Sequence, residues 1–136
     1  MDRNFNTEPS KDGIGYLVVR VSTALGAIPL SDATVNIRGN TKENSGVIYS
    51  LISDRDGLTE KVELPAPPRT LADTPGNAPP YSTWNIDVFL DGYVPVLFTG
   101  VPVYSSTVSV QPAVLVSLGE RYTDRQTYGE TTAPTL

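Results

Sequence analysis

Residues 16–23 read Tyr-Leu-Val-Val-Arg-Val-Ser-Thr, with Leu17, Val19 and Val21 in one phase and Tyr16, Arg20 and Ser22 in the other. A period of two is the mark of a strand with one buried and one wet face, and only Val18 breaks the polarity of the wet side. Further along, Ala33–Arg38 (ATVNIR) alternates in the same way, with Ala33, Val35 and Ile37 inward. Val47–Ser53 (VIYSLIS) is a third apolar run. Asp54-Arg55-Asp56-Gly57 follows, a turn signal of the kind that joins antiparallel strands, with Leu58–Leu64 (LTEKVEL) pairing behind it and Thr59, Lys61 and Glu63 facing water. Ser82–Leu90 (STWNIDVFL) places Trp84, Ile86, Val88 and Leu90 on one side. Asp91-Gly92 then turns the chain into Tyr93–Thr99, and two last apolar runs, Thr107–Val110 and Ala113–Leu118, are separated by Gln111-Pro112. No convincing helical period appears. Seven to eight short strands separated by turn residues predict an all-β, antiparallel Greek-key β-sandwich over residues 14–119, with polar tails at 1–13 and 120–136.

The 136 residues suit one domain, and 39% apolar against 18% charged residues is the balance of a folded chain. A net charge of -5 gives no electrostatic footprint for nucleic acid or for an anionic membrane surface. No apolar run approaches the ~20 residues of a spanning helix, and Met1–Gly13 has no apolar core like that of a signal peptide. The expectation is a chain made in the cytoplasm, with its final setting (spore, phage-like particle or cytoplasm) left open by the sequence. Cysteine and histidine are both absent, which removes disulfides, the usual zinc and haem ligands, and Cys–His or Ser–His nucleophile pairs within the chain.

The order of these elements resembles the carboxypeptidase regulatory-like domain, a small transthyretin-like (prealbumin-like) sandwich. The resemblance rests on Gly26 to Val35 (GAIPLSDATV), Ser53 to Gly57 (SDRDG), Leu64-Pro65 and Asp91-Gly92-Tyr93, and spans about residues 14–118. A narrower likeness joins the Pro65–Pro80 excursion, Tyr81–Tyr93 (YSTWNIDVFLDGY) and Val101–Leu118 to a module of clostridial spore cortex-lytic enzyme precursors and related short Firmicute proteins. The resemblance implies an accessory module. Other prealbumin-like proteins are enzymes. Hydroxyisourate hydrolases rely on histidines and a C-terminal Tyr-Arg-Gly-Ser, whereas this chain ends in APTL; intradiol dioxygenases hold iron through His and Tyr.

Asp54, Asp56 and Gly57 could open a calcium loop, but the twelfth position from Asp54 is Pro65 where an EF-hand has Glu, so these residues read as a turn. Glu60 and Glu63 on one strand and Asp87 and Asp91 on another are acid pairs that a carboxylate-dependent hydrolase could use, and their spacing equally suits solvent-facing or strand-end positions. Lys11, Lys42 and Lys61 fall in a tail, a loop and an outward strand position, and the last strands carry no Asn or Asp, which disfavours an intramolecular isopeptide bond. No catalytic, cofactor-binding or metal-binding residue is assigned, and the chain is expected not to be an enzyme. The candidate interaction surface combines the proline-rich excursion with its flanking aromatics and the apolar run Tyr93–Tyr104: Pro67, Pro68, Pro79, Pro80, Tyr81, Tyr93, Phe98 and Tyr104. Pre-extended proline segments and rim aromatics are efficient anchors. The expected role is engagement of a protein or cell-wall partner, the alternative being self-association of a coat, appendage or particle subunit through tails and sheet edges.

Overall fold

The computed structural model describes residues 13–42, 44–46, 48–68 and 80–119. Among the described residues eight strands form: β1 (Ile14–Thr23), β2 (Ile28–Pro29), β3 (Thr34–Gly39), β4 (Ile48–Ile52), β5 (Val62–Pro65), β6 (Tyr81–Phe89), β7 (Val96–Tyr104) and β8 (Val108–Val114). They build two four-stranded sheets. In one, β1 is central, with β5 and β2 along one side and β8 along the other; the second runs β4-β3-β6-β7 and is antiparallel throughout. The inward phases identified in the sequence meet between the sheets. Leu17, Val19 and Val21 of β1 face Val35 and Ile37 of β3 and Trp84, Ile86 and Val88 of β6 in one buried cluster. The all-β sandwich is therefore the fold.

One pairing departs from the antiparallel expectation. β8 lies parallel to β1, from Tyr16 opposite Val108 to Ser22 opposite Val114. β8 also runs unbroken through Gln111-Pro112, which the sequence reading treats as a break. The ladder bonds Tyr16 N–H to Thr107 O (2.9 Å) and Leu115 N–H to Ser22 O (2.7 Å), so the odd residues of β8 face β1 and the even ones face outward from the sheet edge. Pro112, with no N–H to give, sits on that free edge, where a strand tolerates proline.

The Asp54–Gly57 turn forms as expected: Asp54 Oδ1 accepts from Asp56 N–H (2.9 Å) and Leu58 N–H (3.0 Å), and Gly57 N–H donates to Asp54 O (2.8 Å). It does not close a hairpin, because β4 and β5 belong to different sheets and the turn carries the chain across the sandwich. The segment behind it is also less regular than predicted. Only an isolated bridge from Leu58 to Arg20 precedes β5, and Thr59 is buried, its hydroxyl accepting from Val19 N–H at 3.0 Å. The side chain thus serves a β1 donor that a regular strand would have satisfied with a carbonyl.

Ser53 performs a similar service between β2 and β3. It is buried, its Oγ accepts from Ala33 N–H (3.0 Å) and its hydroxyl donates to Leu30 O (2.8 Å). Ser53→Ala leaves both buried backbone groups unpaired and is expected to lower stability by about 2 kcal/mol. Urea denaturation followed by circular dichroism measures it, and an unchanged midpoint would refute the assignment.

Candidate interaction surface

Strand directions gather five of the sequence-predicted residues at one end of the sandwich. β5 ends there at Pro65, opposite Ile14, and Ala66 N–H donates to Gly13 O (2.9 Å) before the half-buried Pro67 and Pro68. The chain re-enters at the exposed Pro80 and begins β6 at Tyr81. Tyr81 stands directly opposite Tyr104, the last residue of β7, with ring centroids 5.4 Å apart and planes at 60°. This edge-to-face geometry suits the quadrupoles of both rings. The Ser82 hydroxyl donates to Pro65 O (2.6 Å) and accepts from Trp84 Nε1 (2.8 Å), which ties the exit and return of the proline excursion to the core indole. Tyr104 remains 41% exposed. The result is a rim at one end of the sandwich that carries prolines and an aromatic pair. Pro79 lies outside the described residues.

Tyr93 and Phe98 are placed elsewhere. Phe98 stands opposite Ile86 and packs, partly buried, against the core. Tyr93 is at the opposite end, where it bridges Ser117 and donates its N–H to Leu90 O (3.0 Å). It lines an open pocket of about 520 Å³ with Asp32, Phe89, Asp91 and Leu118. β7, which includes most of the predicted Tyr93–Tyr104 edge, pairs only with β6.

The acids singled out as hydrolase candidates are divided between the sheets. Glu60 precedes β5 and Glu63 lies within it, whereas Asp87 is on β6, 3.1 Å from Arg38 Nη2 across the face of the other sheet. That face carries a polar mesh: Ser50 donates to Asn36 (2.8 Å), Asn40 to Asn85 (3.2 Å), and Gly100 N–H to Asn85 Oδ1 (3.2 Å). Sequence reading missed a different feature. β4, Ile-Tyr-Ser-Leu-Ile, is an edge strand without charge, proline or glycine, a signal that was present in its composition.

These features define a two-sheet sandwich with a proline–tyrosine rim. No family model matches the chain, and no curated protein matches its sequence. Solved structures do match in fold. The Bacillus anthracis TIE protein aligns with a TM-score of 0.53 at 12% identity, over 77% of this chain and 17% of that one. Hydroxyquinol 1,2-dioxygenase from Pseudomonas putida gives 0.53 at 11% identity, over 79% and 57%. Catechol 1,2-dioxygenase from Acinetobacter gives 0.51 at 14%, over 79% and 53%. The chain thus spans less than two-thirds of each of these proteins.

The dioxygenases correct the expectation that this chain is not an enzyme: catalytic proteins share its sandwich, so the architecture is no ground for excluding catalysis. At such identities the likeness is one of fold. The residues present do not fit the iron that the resemblance implies for such enzymes. The chain has no histidine, and among the described residues no three His, Cys, Asp or Glu side chains converge.

Proposed function

We propose that this chain is a binding module, an accessory sandwich of carboxypeptidase regulatory-like type, that engages a protein or cell-wall partner of a spore-forming Firmicute through its proline–tyrosine rim. The observation that carries this reading is the convergence of Pro67, Pro68, Pro80, Tyr81 and Tyr104 at one end, with the two rings edge to face and Ser82 linking Pro65 to the Trp84 indole. Prolines lose little entropy on docking, and a tyrosine anchor offers apolar area with a polar tip. The likeness of the second half to spore cortex-lytic precursors supports the cellular setting.

The test is capture of partners from sporulating cells, and of purified peptidoglycan, by wild type and by Tyr104→Ala. The variant is expected to weaken capture about tenfold or more, as loss of an interface anchor does, while the melting curve moves only slightly. Retention of one material and not the other identifies the class of partner. No capture, or capture indifferent to Tyr104, overturns the reading. A second reading, a self-assembling structural subunit, has its own observation in the open edge of β4.

A further inference from the structure

The edge of β4 is self-complementary. Ser53 N–H donates to Ala33 O (2.9 Å), and the β3–β4 register continues with Leu51 opposite Val35 and Tyr49 opposite Ile37. In an antiparallel ladder the bonded residues alternate. Tyr49 and Leu51 therefore direct their backbone groups to β3, while Ile48, Ser50 and Ile52 direct theirs to an edge that pairs with no strand among the described residues. Their side chains stand on the outer face of the sheet, Ile48 65% and Ile52 57% exposed.

Read in either direction, these three residues are Ile-Ser-Ile. A two-fold axis beside Ser50 would set Ser50 against its own counterpart and each Ile48 against the other copy's Ile52. Each of the three residue pairs then exchanges both N–H···O bonds, and apolar side chains meet on the same face. An isologous contact needs this property, that a patch complement itself.

The other sheet margins are less open to such pairing. β8 carries Pro112 on its free side, β7 contains Gly100 and Pro102, β2 is two residues long, and β5 is four residues long with Glu63 within it. Proline, charge and shortness are the devices by which sheets discourage edge-to-edge pairing. β4 has neither proline nor charge and, at five residues, is longer than β2 or β5.

We propose that β4 is a homodimerisation edge, taking β4 of a second copy of this chain in antiparallel, two-fold register about Ser50 to form one continuous eight-stranded sheet. The pairing rests on the self-assembly reading and uses a surface other than the proline–tyrosine rim, so the two can fail separately. It is a closed contact: each copy consumes its β4 edge, and the product is a dimer and not a fibre.

Sedimentation equilibrium of the full chain from micromolar to near-millimolar concentration reads the association. Ser50→Lys and Ser50→Glu each place like charges across the axis and are expected to raise the dimer dissociation constant about tenfold or more. An equimolar mixture of the two is expected to recover association, since Lys then faces Glu. Circular dichroism verifies that both variants fold. Should either not fold, amide hydrogen exchange of wild type decides: Ile48, Ser50 and Ile52 amides gain protection with protein concentration if β4 pairs. A wild-type monomer at all concentrations overturns both the dimer and self-assembly. An oligomer indifferent to charge at position 50, or one whose β4 amides stay unprotected, overturns the β4 edge while leaving self-assembly through another surface.

Discussion

Replacing Trp84 with alanine is expected to remove about 3–5 kcal/mol of folding stability. The indole is fully buried in the middle of the inter-sheet cluster, so its loss opens a cavity between layers that cannot collapse without breaking strand register. Domains of this size are stable by about 5–15 kcal/mol, and the variant should therefore unfold at a much lower denaturant concentration. Because Trp84 is the chain's single tryptophan, far-ultraviolet circular dichroism is the suitable probe for the comparison. Trp84→Phe separates the two contributions of the residue. It restores much of the volume but cannot donate to Ser82, whose bond to Pro65 O it leaves intact, and it should lie between wild type and alanine. A loss below about 1 kcal/mol in the alanine variant would be incompatible with a fully packed core position.

Gly57→Val is expected to be comparably damaging, about 3–5 kcal/mol, although it adds atoms to a turn. Gly57 has φ +81°, a conformation that β-branched residues avoid, and a Cβ built there would stand 2.3 Å from Val21 O. The turn presses against β1 at this point, with Val21 N–H donating to Gly57 O (2.7 Å). A side chain must therefore adopt an unfavourable backbone conformation and also push the turn away from the central strand. The neighbouring Arg55→Ala, at an exposed position of the same turn, should change stability by no more than about 0.5 kcal/mol. Denaturant midpoints of the two variants, measured side by side, test the claim; equal effects would show that the turn is not clamped to β1.

The alternation in β1, β3 and β6 is legible because each strand buries chiefly one face, Ser22 at the end of β1 being the exception on the other, so Leu17, Val19, Val21, Val35, Ile37, Trp84, Ile86 and Val88 announce the core directly. The Asp54–Gly57 turn is equally legible, since its geometry is made by its own side chain and glycine. Sheet membership is not local, and there the sequence reading stops. Nothing in Ser53–Leu58 distinguishes a hairpin from a crossing between sheets, and nothing in Thr107–Leu118 marks β8 as parallel to β1. Pro112 was misleading because proline disrupts a strand only where its N–H is needed, and which side of β8 is free depends on the assembled sheet. Thr59 departs from its expected water-facing position for a related reason. Its hydroxyl is buried to satisfy Val19 N–H, a donor 40 residues away.

The surface shows the same division. Composition located the proline-rich excursion and its aromatics, but only strand direction brings Tyr81 beside Tyr104 and sends Tyr93 to the far end. The edge character of β4 could have been read from its uncharged sequence. Its freedom from a second neighbour among the described residues could not.

The parallel pairing of β1 with β8 also bears on how the chain is made. The Thr23 hydroxyl donates to Leu115 O at 2.7 Å across 92 residues of sequence, and the whole length of the β1–β8 ladder has a similar separation. Contacts so distant are slow to close, and folding on the millisecond-to-second scale of non-local β proteins is expected. On a ribosome adding about 5–20 residues per second, β1 would wait roughly 5–20 s for its longest neighbour. Through that interval Leu17, Val19 and Val21 have no complete sheet to join, so the central strand of the finished sandwich is a hydrophobic segment left to chaperones until the last strand emerges.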